Sequence, residues 1–277
     1  MRFGIALLFY DLRLLCENSD VKISAAIITK NEEANIGKAI DSLTFVDEIL
    51  VIDSGSTDST VQIATERGAR VVLQEWLGFG AQKQFAVETC ENDWIFSLDA
   101  DERVSEELAD FIVKLKNADQ SPSSAGYRFS RLTSYLGREI KHGGWYPDWQ
   151  LRLFDRRRAH WKQLPVHESV EVFPGESVEK IKLDILHYSV SSIREHQQMI
   201  GERYAPLSAQ KMYEQGKRTN VLKLAISPPI AFLQAYVLKG GFLDGWQGFV
   251  IAGFAAHHAF LKNALLLEKQ KVAQTSF

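Results

Sequence analysis

A chain of 277 residues with a formal net charge of −3 can bury one full core with an appendage, and its charge balance argues against a dedicated nucleic-acid binder. Two cysteines, Cys16 and Cys90, are too few for a disulfide framework or a metal cluster, and Cys90 reads as an ordinary small residue near a sheet. No internal repeat or low-complexity tract is present, so the composition fits a globular enzyme, soluble or surface-bound.

Residues 1–20 contain a short apolar run, residues 5–10, which soon meets Asp11 and Arg13 and lacks a cleavage pattern. They read as an amphipathic N-terminal extension, or residues outside the folded core, rather than a signal peptide. From residue 23 a regular alternation begins. Residues 23–28 form a short apolar run of the kind buried on both faces of a sheet. Ile36, Ala39, Ile40 and Leu43 then fall on one face at helical spacing. Residues 48–53 make a second strand, and Ser54 to Asp58 turn into a helix carrying Val61, Ile63 and Ala64 that stops at Gly68. A third strand at 69–73, a helix over 78–89, and a fourth strand leading to Asp99 follow. Ser105 caps one more helix with Leu108, Phe111, Ile112 and Leu115 inward. Strands separated by helices of this length predict an α/β fold with a mostly parallel sheet, right-handed crossovers and flanking helices.

Asp99-Ala100-Asp101 stands at the end of the fourth strand. Two carboxylates at the carboxyl edge of an open α/β sheet lie where such folds bind ligands, and Mg²⁺ or Mn²⁺ prefers such oxygens when it must also hold a diphosphate. The plainer reading of an Asp-x-Asp-Glu is a polar loop or helix cap.

Residues 118–125 form the clearest linker. Residues 126–170 are locally basic: Arg128, Arg131, Arg138, Lys141, Arg152, Arg156, Arg157, Arg158 and Lys162 outnumber the acids there. Guanidinium forks suit phosphates, and Trp145, Tyr146, Trp149 and Trp161 offer flat faces for sugars, so an anionic glycoconjugate acceptor is expected, although Arg156-Arg157-Arg158 alone also reads as a solvated turn. Beyond Leu222 the chain turns apolar and aromatic. Neither apolar run reaches the ~20 uninterrupted residues of a spanning helix, because Pro228-Pro229 breaks the first and His257-His258 sits inside the second. The region reads either as a helical layer that covers the sheet or forms a dimer, or as a monotopic anchor with Lys217, Arg218, Lys223, Lys239 and Lys262 facing anionic lipid; the membrane reading is preferred.

Three segments in order then carry a family resemblance: Ile27-Ile28-Thr29-Lys30-Asn31-Glu32-Glu33, Val51-Ile52-Asp53-Ser54-Gly55-Ser56-Thr57-Asp58 and Leu98-Asp99-Ala100-Asp101-Glu102. Together they resemble the signature of family 2 glycosyltransferases with the Rossmann-like GT-A fold, over roughly residues 22–190. Residues 143–154 and 241–246 narrow the likeness to bacterial lipopolysaccharide inner-core glycosyltransferases, which attach glucose to a core heptose. The resemblance implies a GT-A catalytic domain over 21–190, with a nucleotide-binding half at 21–120 and an acceptor half at 121–190. A helical apolar region, 191–277, would be membrane-associated. It implies an inverting, metal-dependent hexosyltransferase that uses a nucleoside-diphosphate sugar, UDP-glucose, with Mg²⁺ or Mn²⁺. The enzyme would be cytoplasmic and peripheral on the inner face of the inner membrane.

Sugar transfer needs a nucleotide grip, a stabiliser of the leaving group, a base and an acceptor cradle. The resemblance places Asp53 against a pyrimidine imide N–H and Thr29 and Glu32 against base and ribose; the plainer readings are a turn cap for Asp53 and a helix start for residues 31–35. Asp99 and Asp101 would hold the cation, with direct ligation mainly on Asp101 and Asp99 toward ribose and metal-bound water. Lys83 is a candidate for nucleotide or phosphate, against a solvated helix lysine.

Asp148, between Pro147 and Trp149, is the expected base, in an aromatic setting that would exclude water and raise its pKa, and Glu168 is the reserve. Gln150 and Arg152 resemble the family's Gln-x-x-Arg-Trp element, but the spacing here is Gln-x-Arg-x-Phe; Arg152 would contact diphosphate or an acceptor phosphate, or face solvent from a strand. Several GT-A enzymes give the metal a late histidine, which His167 or His187 would supply here, against a structural hydrogen-bonding role. Two other readings stand beside this one: a GT-A transferase acting on a polyprenyl phosphate or another glycan, and a non-catalytic sugar or nucleotide binder. The acidic residues 32–33 after the first strand argue against the phosphate loop of a nucleotidyltransferase.

Overall fold

The computed structural model describes residues 21–118, 122–162 and 168–275. The expectations placed on residues 1–20, Cys16 and His167 lie outside the described residues.

Four strands, β1 (Ile23–Thr29), β2 (Glu48–Asp53), β3 (Arg70–Leu73) and β4 (Trp94–Asp99), run parallel in the order β3-β2-β1-β4. Helices α1 (Ile36–Asp41), α2 (Thr60–Glu66) and α3 (Phe79–Thr89) connect them. α2 ends at Gly68, whose φ of 79° lets Ala69 N–H reach Ala64 O at 3.1 Å. β1 is largely apolar and buried along almost its whole length because both of its faces are covered. Ala25 and Ile27 pack with Ile36 and Ala39 of α1, while Ala26 packs with Ala86 and Val87 of α3.

The chain continues through β5 (Glu102–Val104), α4 (Glu106–Lys116), β6 (Gly126–Tyr135), β7 (Arg138–Glu139), β8 (Asp148–Asp155), β9 (Ala159–Trp161), β10 (Val170–Val172) and β11 (Val178–Val190). Ser105 caps α4 by accepting from Leu108 N–H at 3.3 Å. The sheet extends from β4 as β8-β6-β11-β5. Here it is mixed: β8 runs antiparallel to β4 and β6, and β5 antiparallel to β11, pairings that need no helical crossover. The parallel alternation read from the sequence thus describes the first half of the sheet, and β9 and β10 form a separate ribbon.

Only Ala100 and Asp101 join β4 to β5, yet three strands separate the pair in the sheet order. The sheet therefore curls, and the Asp-x-Asp turn crosses its end. Pairing of β4 with β8 stops at Phe96–Leu153, which opens a fork just where Arg152 follows on one strand and Asp99 on the other.

After β11, α5 (Ile193–Gln198) passes through a wider helical turn at Met199–Tyr204 into α6 (Ala205–Glu214). α7 (Val221–Leu233) and α8 (Gly245–Thr275) then form an antiparallel hairpin, with Thr219 Oγ1 donating to Asn263 Oδ1 at 3.0 Å near one end and Phe232 and Phe249 5.5 Å apart near the other. The expected break at Pro228-Pro229 does not occur: α7 runs through both prolines and continues as helix to Leu238. Two interior prolines remove two N–H donors, at about 3 kcal/mol each, and packing along α8 holds the helix despite that loss. The expectation that neither run reaches spanning length is corrected with it. Val221–Leu238 (mean hydropathy 1.6) and Gly241–Val272 (1.4) are both long and apolar enough to cross a membrane by length and composition.

Candidate active site

The loops after β1 and β2 are sewn together. Asn31 N–H donates to Ser56 Oγ at 2.8 Å, Thr57 N–H to Asn31 Oδ1 at 2.8 Å, and Glu32 N–H to Thr60 Oγ1 at 2.7 Å. Asp53 is buried, and Gly55 N–H and Ser56 N–H each donate to its Oδ2 at 2.9 Å while the Ser56 hydroxyl donates to Oδ1. Both oxygens therefore take part in holding the turn. Beside it, Thr29 Oγ1 is buried with no hydrogen-bond partner. Glu32 is half-buried and accepts from Asn35 Nδ2 at 2.9 Å. Burial raises its pKa above the ordinary value, Asn35 opposes the rise, and the nearby charges of Asp101, Asp58 and Glu195 add to it.

Asp99 sits in the fork between β4 and β8. Lys83 Nζ lies 2.7 Å from its Oδ1, and Arg152 Nη2 lies 2.8 Å from its Oδ2. Burial works against the charge on Asp99, but Arg152 and Lys83 outweigh it and hold the carboxyl well below the usual carboxylate range. Lys83 is buried rather than solvated, with Nζ 4.8 Å from the centre of the Trp161 ring. Arg152 is 2% exposed, so the solvent-facing alternative fails. Its Nη2 also meets Glu102 Oε1 at 2.6 Å, while its Nε and Nη1 are buried without partners.

Glu102, which no sequence argument singles out, is the hub of this end of the sheet. It is fully buried, accepts from Asp99 N–H at 3.0 Å, and faces Arg131 Nη1 at 3.6 Å as well as Arg152. Its one local signal is its place directly after the Asp-x-Asp, at the head of β5. Arg131 carries the network onward, with Nη2 2.6 Å from Asp148 Oδ2.

Asp148 begins β8, and Gln150 Nε2 donates to its Oδ1 at 2.8 Å. Its side chain is 36% exposed and tied to Arg131, not sealed among aromatics as its neighbours suggested, because Trp149 lies beside Lys180 and Trp145 packs on Tyr135 and His196. Glu168 lies beside the β9–β10 ribbon and makes no hydrogen bond to this cluster. The expected basic acceptor face is also narrower than the sequence suggested. Arg156, Arg157 and Arg158 follow the far end of β8, where Asp93, Asp155 and Glu176 neutralise them. Trp161 is buried and offers no open face.

Asp101 and His187 complete the arrangement. His187 Nε2 is 3.3 Å from Asp101 Oδ2, and His187 Nδ1 is 3.1 Å from the Thr133 hydroxyl, which orients the ring. Among the described residues no three His, Cys, Asp or Glu side chains converge as a complete metal cage. Two protein donors suffice where diphosphate oxygens and water fill the remaining positions, so Asp101 and His187 fit a divalent cation that arrives with a diphosphate. Asp99, by contrast, already has both oxygens in ion pairs, with Lys83 and Arg152.

Residues 24–181 match the family model described as Glycosyl transferase family 2. The chain is 36% identical over 259 residues to an uncharacterised glycosyltransferase of Rickettsia typhi, covering 89% of this chain and 87% of that protein. It is 34% identical over 253 residues to the lipopolysaccharide core biosynthesis glycosyltransferase LpsC of Rhizobium meliloti, covering 89% and 92%. A glucosyl-3-phosphoglycerate synthase from Mycobacterium tuberculosis, solved with Mn²⁺, UDP and glucosyl-3-phosphoglycerate, is 27% identical, with a TM-score of 0.33 over 41% of this chain and 44% of that one.

Proposed function

The chain belongs to glycosyl transferase family 2, and we propose that it is an inverting hexosyltransferase that moves glucose from UDP-glucose to a heptose of the lipopolysaccharide inner core. In this reading residues 21–120 hold the nucleotide, residues 121–190 hold the acceptor, and the helical region from residue 191 sits at the cytoplasmic face of the inner membrane. The name of the Rhizobium meliloti relative supports the choice of acceptor. The observation that carries the reading is the convergence of Asp99, Asp101, His187, Arg152 and Asp148 around Glu102 and Arg131 at one end of the sheet.

Asp101 and His187 would hold the divalent cation, which when bound neutralises charge growing on the leaving diphosphate. Arg152 has two buried donor nitrogens without partners, the groups an incoming phosphate oxygen would satisfy. Lys83 and Arg152 fix Asp99 in its charged form facing the ribose. Thr29 offers its unpartnered hydroxyl to the nucleotide, and Glu32 lies near enough to Asp101 to share that edge. Asp148 takes the proton from the acceptor hydroxyl as it attacks the anomeric carbon, while the bond to the diphosphate breaks. Arg131 and Gln150 hold both carboxylate oxygens of Asp148 and so aim it.

The test is a screen of nucleotide sugars against purified core lipid, with and without Mn²⁺, read by mass spectrometry. One added hexose from UDP-glucose, dependent on the cation, is expected. Transfer to polyprenyl phosphate instead, or nucleotide binding with no transfer to either acceptor, replaces the reading.

A further inference from the structure

The outward face of α7 is an apolar stripe. Leu222, Ile226, Ile230, Leu233 and Val237 recur at helical spacing and are 45–67% exposed, and only 6% of Val221–Leu238 is buried. The stripe runs into the turn before α8 and the first residues of that helix, where Phe242, Leu243 and Trp246 are each more than half exposed. Exposed apolar surface this continuous marks an interaction site.

The two sides of the hairpin differ. The other side of α8 meets polar partners: Gln197 lies 3.3 Å from His257 Nε2, and Ser208 Oγ lies 3.3 Å from His258 Nε2. α6 carries exposed Gln210, Lys211 and Glu214 over that side. A spanning hairpin would bury those groups in hydrocarbon, so lipid on the α7 side alone fits the sidedness. Both ends of α7 are basic, with Lys217, Arg218 and Lys223 at one end and Lys239 at the other, and none of these meets a carboxylate among the described residues. Pairing with a second copy would set like charges together in either orientation, whereas anionic headgroups complement them.

The same turn grips the loop that leads to Asp148. Asp244 is buried; its Oδ2 accepts from His142 N–H at 2.8 Å, and its Oδ1 accepts from Lys141 N–H at 3.4 Å and lies 2.9 Å from His142 Nδ1. Gly143 N–H donates to Lys239 O at 2.9 Å, and Arg138 Nη2 donates to Leu243 O at 3.1 Å. Gly248 lets α8 pass: a Cβ there would stand 1.8 Å from Gly241 O.

We propose that α7 lies flat on an anionic phospholipid surface, and that Asp244 fastens residues 141–145 to the docked turn so that the acceptor loop is held at headgroup level. This deepens the glycolipid-acceptor reading and rests on it for the word acceptor, but the docking is measured without activity. The full-length protein is sedimented with vesicles of equal parts phosphatidylglycerol and phosphatidylcholine, and with phosphatidylcholine alone. Binding to the anionic vesicles is expected at least tenfold above the neutral ones, and the triple variant Leu222→Ser, Ile230→Ser, Leu233→Ser should lose it while keeping its circular dichroism and melting temperature. Equal binding by that variant overturns the proposal, as does a dimer in ultracentrifugation that the same substitutions dissolve in place of vesicle binding. For the latch, a fluorophore on Lys141→Cys in a Cys16→Ser background, where the remaining thiol of Cys90 is buried, should be quenched by brominated lipid. Adding Asp244→Ala should abolish the quenching with vesicle binding intact, and undiminished quenching overturns the latch. Failure of sugar transfer alters neither readout.

Discussion

His187 Nε2 stands 3.3 Å from Asp101 Oδ2, although Asp101 lies in the β4–β5 turn and His187 lies on β11. The antiparallel pairing of β5 with β11, which sets His187 opposite Glu102, brings the two together. Asp101→Ala is expected to abolish transfer, and both it and His187→Ala should weaken Mn²⁺-dependent UDP binding by tenfold or more, the binding being read by titration calorimetry with and without the cation. Full Mn²⁺-dependent binding by both variants would move the cation elsewhere.

Asp148→Asn should leave nucleotide affinity near that of the parent and cut turnover by roughly 10²–10⁴, the usual worth of a positioned base. The split between affinity and rate is the diagnostic. A variant with normal turnover hands the proton to another acid, with Glu168 next in line.

Glu102→Ala should destabilise the fold by about 3–5 kcal/mol in urea denaturation, because it leaves Arg152 buried with less compensating charge. Glu102→Gln keeps the shape and isolates the charge. It should restore part of the stability but not the ordering of Asp148, so turnover stays low. Equal stability of parent and Ala variant would remove Glu102 from the hub.

His196 lies buried against Tyr135, whose hydroxyl is 2.9 Å from His196 Nδ1, and burial lowers its pKa from 6.5 to about 4. Between those values the unfolded chain binds a proton at this position and the folded chain does not. Stability therefore falls as pH drops through that window, by ~3 kcal/mol at most. Melting curves from pH 7 to pH 4 should show the slope, and His196→Asn should flatten it. An unchanged slope would assign the pH dependence to other groups.

Much of the first half of the sheet was legible because its signals are local. The apolar runs of β1, β2 and β4, the stop at Gly68 and the cap at Ser105 each depend on a few neighbouring residues. Asp53 shows the limit of such reading. Its place at a strand end was visible, but not that Gly55 and Ser56 of the turn it opens would bond to both of its oxygens. The prolines of α7 show it again, since propensity predicts a break and the helix runs through both.

The sequence by itself determined that carboxylates would stand at the carboxyl edge of a sheet, because strand period and turn chemistry act over a handful of residues. Only the tertiary structure decided their partners. Arg131, Arg152 and His187 reach Glu102, Asp99 and Asp101 through antiparallel pairings and a curl of the sheet, and no local pattern encodes which strand returns beside which. Long-range register sets those charge pairs, and with them which carboxylate oxygens are already engaged by a basic side chain.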